Sequence, residues 1–162
     1  MPGEQDAQDI KFYLAENQIL FSIDSTDLIS RLISGNYPDY KQIIPTNIKT
    51  KILVERNEFL RAIKASAIFS KAGINDVALE FREEKIIISA SSGLSGESRI
   101  ELGAEIKGDD NEVIINYKYL VDGLNNINSE KVRIEVINSN TPCILKPETE
   151  EDYLYIVMPI RQ

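Results

Sequence analysis

The sequence predicts an α+β fold built from two βαβββ repeats, with the helices on one side of antiparallel sheets. Three observations carry that expectation. A strand, a helix and three further strands follow one another from residue 51, and the same order starts again at residue 112. Both helical stretches show apolar residues at spacings of three and four, each close behind an asparagine able to cap a helix. The other runs are short, rich in β-branched residues and bounded by turn formers. Two copies of one supersecondary unit can set their strands in facing or continuous sheets and both helices on a common side.

Residues 11–15 and 19–23 read as strands around Glu16-Asn17-Gln18, and 27–33 as a third. Nothing before residue 10 supplies a helix to cover them, so this segment reads as the tail end of a larger domain. The run from Ser34 to Tyr40 is dense in turn formers and leads to Ile43-Ile44-Pro45. It reads as an interdomain connection packed through Tyr37, Tyr40 and Ile43. The first repeat places a strand at 51–55, a helix at 57–71 and strands at 77–82, 85–91 and 97–103. The second places a strand at 112–115, a helix at 117–127 and strands at 131–138, 142–146 and 153–158.

In the first helix Asn57 is the expected N-cap, Phe59, Ile63 and Ala67 form the buried stripe, and Gly73 follows the end. Arg61, Lys64, Ile68 and Lys71 fall on another face. In the second, Asn116 is the expected cap and Leu120, Leu124 and Ile127 the stripe, with Lys118 the basic residue near its start. Gly123 inside that helix costs about 1 kcal/mol against Ala and marks close packing.

Composition sets the boundaries of function. With 162 residues, 43% of them hydrophobic and 27% charged, the chain fits one globular domain, or one domain and a piece of another. It has no apolar run long enough for a membrane-spanning helix and an acidic start, so a cytoplasmic location without membrane association is expected. Cys143 is the single cysteine, which excludes an internal disulfide and reads as a buried, inert thiol. The absence of histidine removes the commonest general base and zinc ligand together. A net charge of -8 argues against nucleic-acid contact over the whole surface and permits a local basic face.

The chemistry of individual motifs points the same way. Ser91-Ser92-Gly93-Leu94-Ser95-Gly96 lacks the Gly-x-Ser-x-Gly spacing and the histidine of a nucleophile elbow and reads as a hairpin loop, so a hydrolase using Ser95 or surface carboxylates is a minor alternative. Glu148, Glu150, Glu151 and Asp152 lack calcium-loop spacing and read as a solvated turn. No phosphate loop, no Cys/His ligand set and no paired carboxylates stand out; no cofactor, no metal and no enzymatic activity are expected. Arg61, Lys64 and Lys71 read either as a solvated helix face or as phosphate contacts. The ending Tyr155-Ile156-Val157-Met158-Pro159-Ile160-Arg161-Gln162 is too apolar for a frayed tail and should dock; beyond Pro159 it reads either as a short overhang or as a binding surface.

The repeated βαβββ unit, the connection from Gly35 to Pro45 and the ending from Tyr155 to Arg161 together resemble the bacterial DNA polymerase sliding clamp, the β subunit of the replicase. The resemblance runs from about Ile10 to the end. It implies a DNA-clamp fold, with residues 1–9 a polar tail or added residues, 10–44 the last part of a middle domain with its linker, and 45–162 a third domain. What the family does then becomes the expectation. Full-length members form a two-subunit ring around duplex DNA, hold the replicative polymerase to it, and bind polymerase, clamp loader and repair proteins through short peptide motifs. A fragment of this extent should not close the ring.

Carried over by resemblance, the peptide cleft takes in Pro38, Gln42, Ile43, Ile74, Asn116, Tyr119, Pro142, Ile156, Met158, Pro159, Ile160 and Arg161. Gln42 stands where many members have Arg, and Ile74 where some have Phe. Arg61, Lys64, Lys71 and Lys118 become DNA-facing residues without sequence specificity, and Ile68 and Phe69 a subunit interface. A stand-alone protein-interaction module with a clamp fold and no DNA encirclement is the other reading.

Overall fold

The computed structural model describes residues 9–37, 39–93, 96–149 and 153–161. The chain divides into two units, Met1–Asp39 and Tyr40–Gln162. In the first, β1 (Lys11–Leu14), β2 (Gln18–Ile23) and β3 (Thr26–Arg31) form an antiparallel meander in that order. Its register sets Phe12, Phe21 and Leu28 in one row, and the rings of Phe12 and Phe21 meet edge to face with centroids 5.2 Å apart. Every residue of β1 and β3 is exposed, including Leu14, Leu28 and Ile29.

The second unit opens with a single 3-10 turn, Tyr40–Gln42. Then come β4 (Thr50–Glu55), α1 (Arg56–Ser66), a 3-10 turn at Ala67–Phe69, β5 (Asp76–Arg82), β6 (Lys85–Ser91), β7 (Glu97–Gly103) and β8 (Glu105–Gly108). The second repeat adds β9 (Asn111–Asn116), α2 (Tyr117–Asn125), β10 (Lys131–Val136), β11 (Cys143–Pro147) and β12 (Tyr155–Val157). Both expected βαβββ repeats are present, and they exchange strands. One antiparallel sheet has the order β12-β11-β10-β4-β8, the other β7-β6-β5-β9. The first strand of each repeat therefore lies beside a strand of the other repeat, Glu55 opposite Lys131 and Asp76 opposite Asn116.

Alternation along the strands explains the core. Val77, Leu79 and Phe81 of β5 and Ile86 and Ile88 of β6 are buried, as are Ile52 and Val54 of β4 and Val132, Ile134 and Val136 of β10. They form one cluster with Phe59 and Ile63 of α1 and Leu120 and Leu124 of α2. Each such side chain contributes roughly 1.5 to 3 kcal/mol by leaving water. Burial also pushes the Cys143 thiol up to about 12, which keeps it protonated and inert.

Strand β8 was not expected from the sequence. Its Glu105-Ile106-Lys107-Gly108 carries one apolar side chain, too little to show a pattern, yet it pairs with β4 and sets Ile106 opposite Ile52. Gly108 closes it at φ 112°, where a Cβ would stand 1.8 Å from the Lys49 carbonyl oxygen, so no other residue fits. Buried Thr50 donates to the Asp109 carbonyl at 2.8 Å. Asn111 Nδ2 donates to Thr50 Oγ1 at 3.2 Å and to the Ile137 carbonyl at 2.9 Å, pinning the turn between β8 and β9.

The first helix departs from expectation at both ends. Its N-cap is Glu55, with no side-chain bond, because β4 runs into α1 without an intervening residue. Asn57 is inside the helix, where its Oδ1 accepts from the Arg56 guanidinium at 2.9 Å. The α-helix ends at Ser66, so the buried residues are Phe59, Ala62, Ile63 and Ser66, and Ala67 belongs to the 3-10 turn. Lys71 lies beyond both, in a turn whose Ile74 and Asn75 amides donate back to its carbonyl. The second helix follows expectation at its start: Asn116 Oδ1 accepts from the Lys118 amide at 3.0 Å. It ends at Asn125, two residues early, while Ile127 is still buried beyond it.

Two contacts fix the C-terminal part of α2. Arg56 Nη1, from the start of α1, donates to the carbonyls of Leu124 at 3.2 Å and Ile127 at 2.9 Å, satisfying acceptors that a helix end leaves open. A Cβ on Gly123 would lie 2.5 Å from the Tyr155 ring, which is the close packing expected there. Among the described residues no helix is long and apolar enough to cross a membrane.

Candidate functional site

The C-terminal segment is docked. β12 pairs with β11, Val157 opposite Cys143 and Ile156 opposite Ile144, and it ends before Pro159, which has no N–H to extend a ladder. Pro142, immediately before β11, follows that register to the neighbourhood of Met158. Val157 and Pro159 are buried, whereas Met158 is 52% exposed. Half-buried Ile160 donates its N–H to the Ile114 carbonyl on β9 at 2.7 Å, and Arg161 beyond it is exposed.

A second group gathers where β9 becomes α2. Asn116 caps α2 with its Oδ1 and, with its Nδ2, donates to the Ile74 carbonyl at 3.2 Å. One side chain thus joins the turn that follows α1 to the first turn of α2. Ile74 is 47% exposed and Tyr119 55% exposed, a large apolar outlay for neighbours in the fold. Tyr155 connects this group to the C-terminal strand: burial raises its phenol above the usual tyrosine value, and nearby Asp122, Tyr153 and Tyr119 push the same way. Sequence reasoning did not single out Tyr155; the signal was Gly123, which left a gap in α2 for a ring to fill.

Of the residues expected in the cleft, Ile74, Asn116 and Tyr119 are brought together, and Pro142, Ile156, Met158, Pro159, Ile160 and Arg161 follow the docked ending. Gln42 and Ile43 are exposed on and after the Tyr40–Gln42 turn, with the Ile43 amide donating to the Tyr40 carbonyl at 3.0 Å. Pro38 lies outside the described residues.

The basic residues separate into two places. Arg61 and Lys64 are exposed on α1 and Lys118 on the first turn of α2, and the two helices pack against each other. Lys71 does not share their helix face, because α1 stops at Ser66. It lines instead a surface hollow with Ala78, Ser89 and Arg99, on the side of the β7-β6-β5-β9 sheet away from the core. Ile68, on the 3-10 turn, is 74% exposed; Phe69 is half-buried and packs on the core.

The loop between β6 and β7 is a turn with Gly93 at φ 71° and Gly96 at φ 99°, and the Ser92 amide donates to the Gly96 carbonyl at 3.3 Å. Ser95, Glu150, Glu151 and Asp152 lie outside the described residues. Among the described residues no group of three or more His, Cys, Asp or Glu gathers to hold a metal.

A family model described as DNA polymerase III beta subunit, C-terminal domain, matches residues 41–161. The beta sliding clamp of Staphylococcus aureus is 31% identical over 156 residues, which cover 95% of this chain and 41% of that protein. The chain thus spans about two fifths of the length of the curated relatives it matches. The DNA polymerase III beta chain of Streptococcus pneumoniae superposes with a TM-score of 0.80 at 31% identity, over 94% of this chain and 41% of that one. The sliding clamp of Bartonella birtlesii, solved bound to griselimycin, gives a TM-score of 0.83 at 25% identity over 94% and 41%.

Proposed function

The chain belongs to the DNA polymerase III beta subunit family, the beta sliding clamps, and from that premise we propose that it supplies the partner-binding part of a non-enzymatic processivity factor. Residues 10–44 correspond in this reading to the last part of a middle domain with its linker, and 45–162 to the third domain. The observation that carries the reading is the junction at Asn116, which ties the turn bearing exposed Ile74 to the helix start bearing exposed Tyr119, at the end of the strand whose Ile114 carbonyl holds Ile160 of the docked ending. Apolar residues held by rigid backbone, with Asn116 and Arg161 at hand for polar groups, suit a short partner peptide with Leu or Phe anchors. Gln42, Ile43, Pro142, Ile156, Pro159 and Ile160 complete this wall of the cleft, and Pro38, expected with them, lies outside the described residues. Replicative polymerase, clamp loader and repair proteins are the partners that would present such peptides, in the cytoplasm.

In the full ring of two subunits, Arg61, Lys64 and Lys118 face duplex DNA and contact phosphates without reading bases. Lys71, expected with them, lies instead against the opposite face of the β7-β6-β5-β9 sheet and is left out of this group. Exposed Ile68, with Phe69 beside it, forms the subunit interface.

The test is a fluorescently labelled peptide carrying Leu and Phe anchors, titrated with this chain. Met158→Ala and Tyr119→Ala should each weaken binding by about 1 to 2 kcal/mol, roughly five- to thirtyfold. Unchanged affinity in both variants overturns the cleft assignment. Griselimycin, which the Bartonella birtlesii clamp binds, serves as a competitor.

A further inference from the structure

The free edge of β9 is a second place for a partner. β9 pairs with β5 on one side and, among the described residues, has no strand on the other. The Tyr117 amide donates to the Asn75 carbonyl at 2.8 Å, which fixes the phase of the antiparallel ladder. Residues 113 and 115 then turn their N–H and C=O groups toward β5, and residues 112 and 114 turn theirs toward the open side. Two of the four groups so presented are occupied: the Ile114 carbonyl accepts from Ile160, and the Glu112 amide donates to Asn111 Oδ1 at 3.0 Å. The Glu112 carbonyl and the Ile114 amide have no hydrogen-bond partner among the described residues.

An open C=O at one residue and an open N–H two residues later are what a single residue of a parallel strand satisfies, donating to the first and accepting from the second. Space for such a strand exists. A trough of about 800 Å³ runs from Ile160 past Ile114 and Glu112 to Asp110, walled opposite by Asn138 and Asn140. That wall is held in shape, since Asn138 Oδ1 accepts from the amides of Asn140 at 2.9 Å and Thr141 at 3.1 Å. The volume is that of a ligand pocket, ~300–1,000 Å³. Three charged side chains line it: Arg82 is paired with Glu80 at 2.9 Å, whereas Asp110 and Glu112 make no ion pair among the described residues and are left for a cation.

We propose that an extended segment of a protein partner adds to β9 as a parallel strand in this trough, with a Lys or Arg side chain set against Asp110 and Glu112. Backbone pairing opposite Val113 gives it a fixed register, and the carboxylates select its charge. The proposal rests on the cleft reading in one respect: Ile160 borders both places, so the segment belongs to the same peptide that seats its apolar anchors near Met158 and Tyr119. Running parallel to β9, it approaches Ile160 with its C-terminal end. It is therefore the flank on the N-terminal side of those anchors.

The experiment compares the Leu/Phe peptide alone, the same peptide with an N-terminal Lys-Val-Lys-Val extension, and that extension with its backbone nitrogens methylated. The plain extension should tighten binding to this chain about tenfold, and the methylated one should not. Asp110→Asn with Glu112→Gln should remove most of the gain and leave the unextended peptide unaffected. Hydrogen exchange of the Ile114 amide should slow only with the plain extension. If the unextended peptide binds but the extension adds neither affinity nor protection, the trough proposal fails and the cleft stands. Failure of the anchored peptide, with Ile114 still protected by the isolated extension, has the opposite meaning. An equal gain from the same residues added at the C-terminus overturns the parallel register.

Discussion

The two helices occupy the same place in their repeats and are secured in opposite ways. α1 begins directly on β4, without a side-chain cap, and unwinds into a 3-10 turn that leaves Ile68 in solvent. α2 is capped at its start by Asn116 and held near its end by Arg56, which comes from α1. The first helix therefore lends its opening residue to the second, and the second keeps its own opening for the surface around Ile74 and Tyr119. Equivalent elements of a repeat are thus held differently, one giving support and the other receiving it.

Breaking the support should have the largest effect. Arg56→Ala removes two charge-assisted bonds to the Leu124 and Ile127 carbonyls and should lower stability by about 2 to 3 kcal/mol in urea unfolding. Its buried Nε has no partner among the described residues, which keeps the loss near the lower value. Next comes Gly123→Ala. A Cβ 2.5 Å from the Tyr155 ring forces that ring to move, at about 1 to 3 kcal/mol, offset by about 1 kcal/mol of helix propensity. A net melting-point decrease is expected, together with altered Tyr155 fluorescence.

The two asparagines sharpen the contrast. Asn116→Ala should cost about 1 kcal/mol through the lost cap, and should weaken peptide binding as Ile74 loses its tie. Asn57→Ala should stay within about 0.5 kcal/mol, because that residue caps nothing. Equal effects in circular-dichroism melts would contradict the assignment of the caps.

The smallest effect concerns Cys143 in β11. Its folded value of about 12 lies above the ordinary thiol value of 9.0, so the folded state holds the proton more tightly than the unfolded one. The stabilisation is complete below about pH 9 and is lost as pH rises from there toward 12. Relative to Cys143→Ala, the parent should show a constant advantage between pH 6 and 8, shrinking by pH 10 as measured by urea titration.

Much of this was legible in the sequence. Strong local patterns, such as Val77-Leu79-Phe81 alternating in β5 or Leu120 and Leu124 on α2, gave the elements and the core face. The Asn116 cap was readable because cap and helix are adjacent in sequence. The same rule misplaced the start of α1, where a strand enters the helix at Glu55 with no residue to spare. β8 was invisible because its pairing with β4 is non-local and its own sequence carries one apolar residue. Lys71 was put on a helix face by spacing alone, which cannot register a helix that ends at Ser66. The open edge of β9 was likewise beyond reach, since it depends on which neighbour β9 lacks. The docked ending was expected from its apolar residues, but the Ile160 bond to Ile114 was not.

The exchange of first strands has a consequence for how this unit can come to exist. β4 must wait for β10 and β9 must reach back to β5, so neither half closes a sheet from its own residues. Synthesis from the N-terminus leaves β4 without its central neighbour until most of the unit has emerged, and pairing across such separations slows folding relative to local hairpins. Two polypeptides divided at the Gly108 turn should each be unstable alone and should complete both sheets only on mixing. The unit is written twice, but the chain can be read into a fold only as one word.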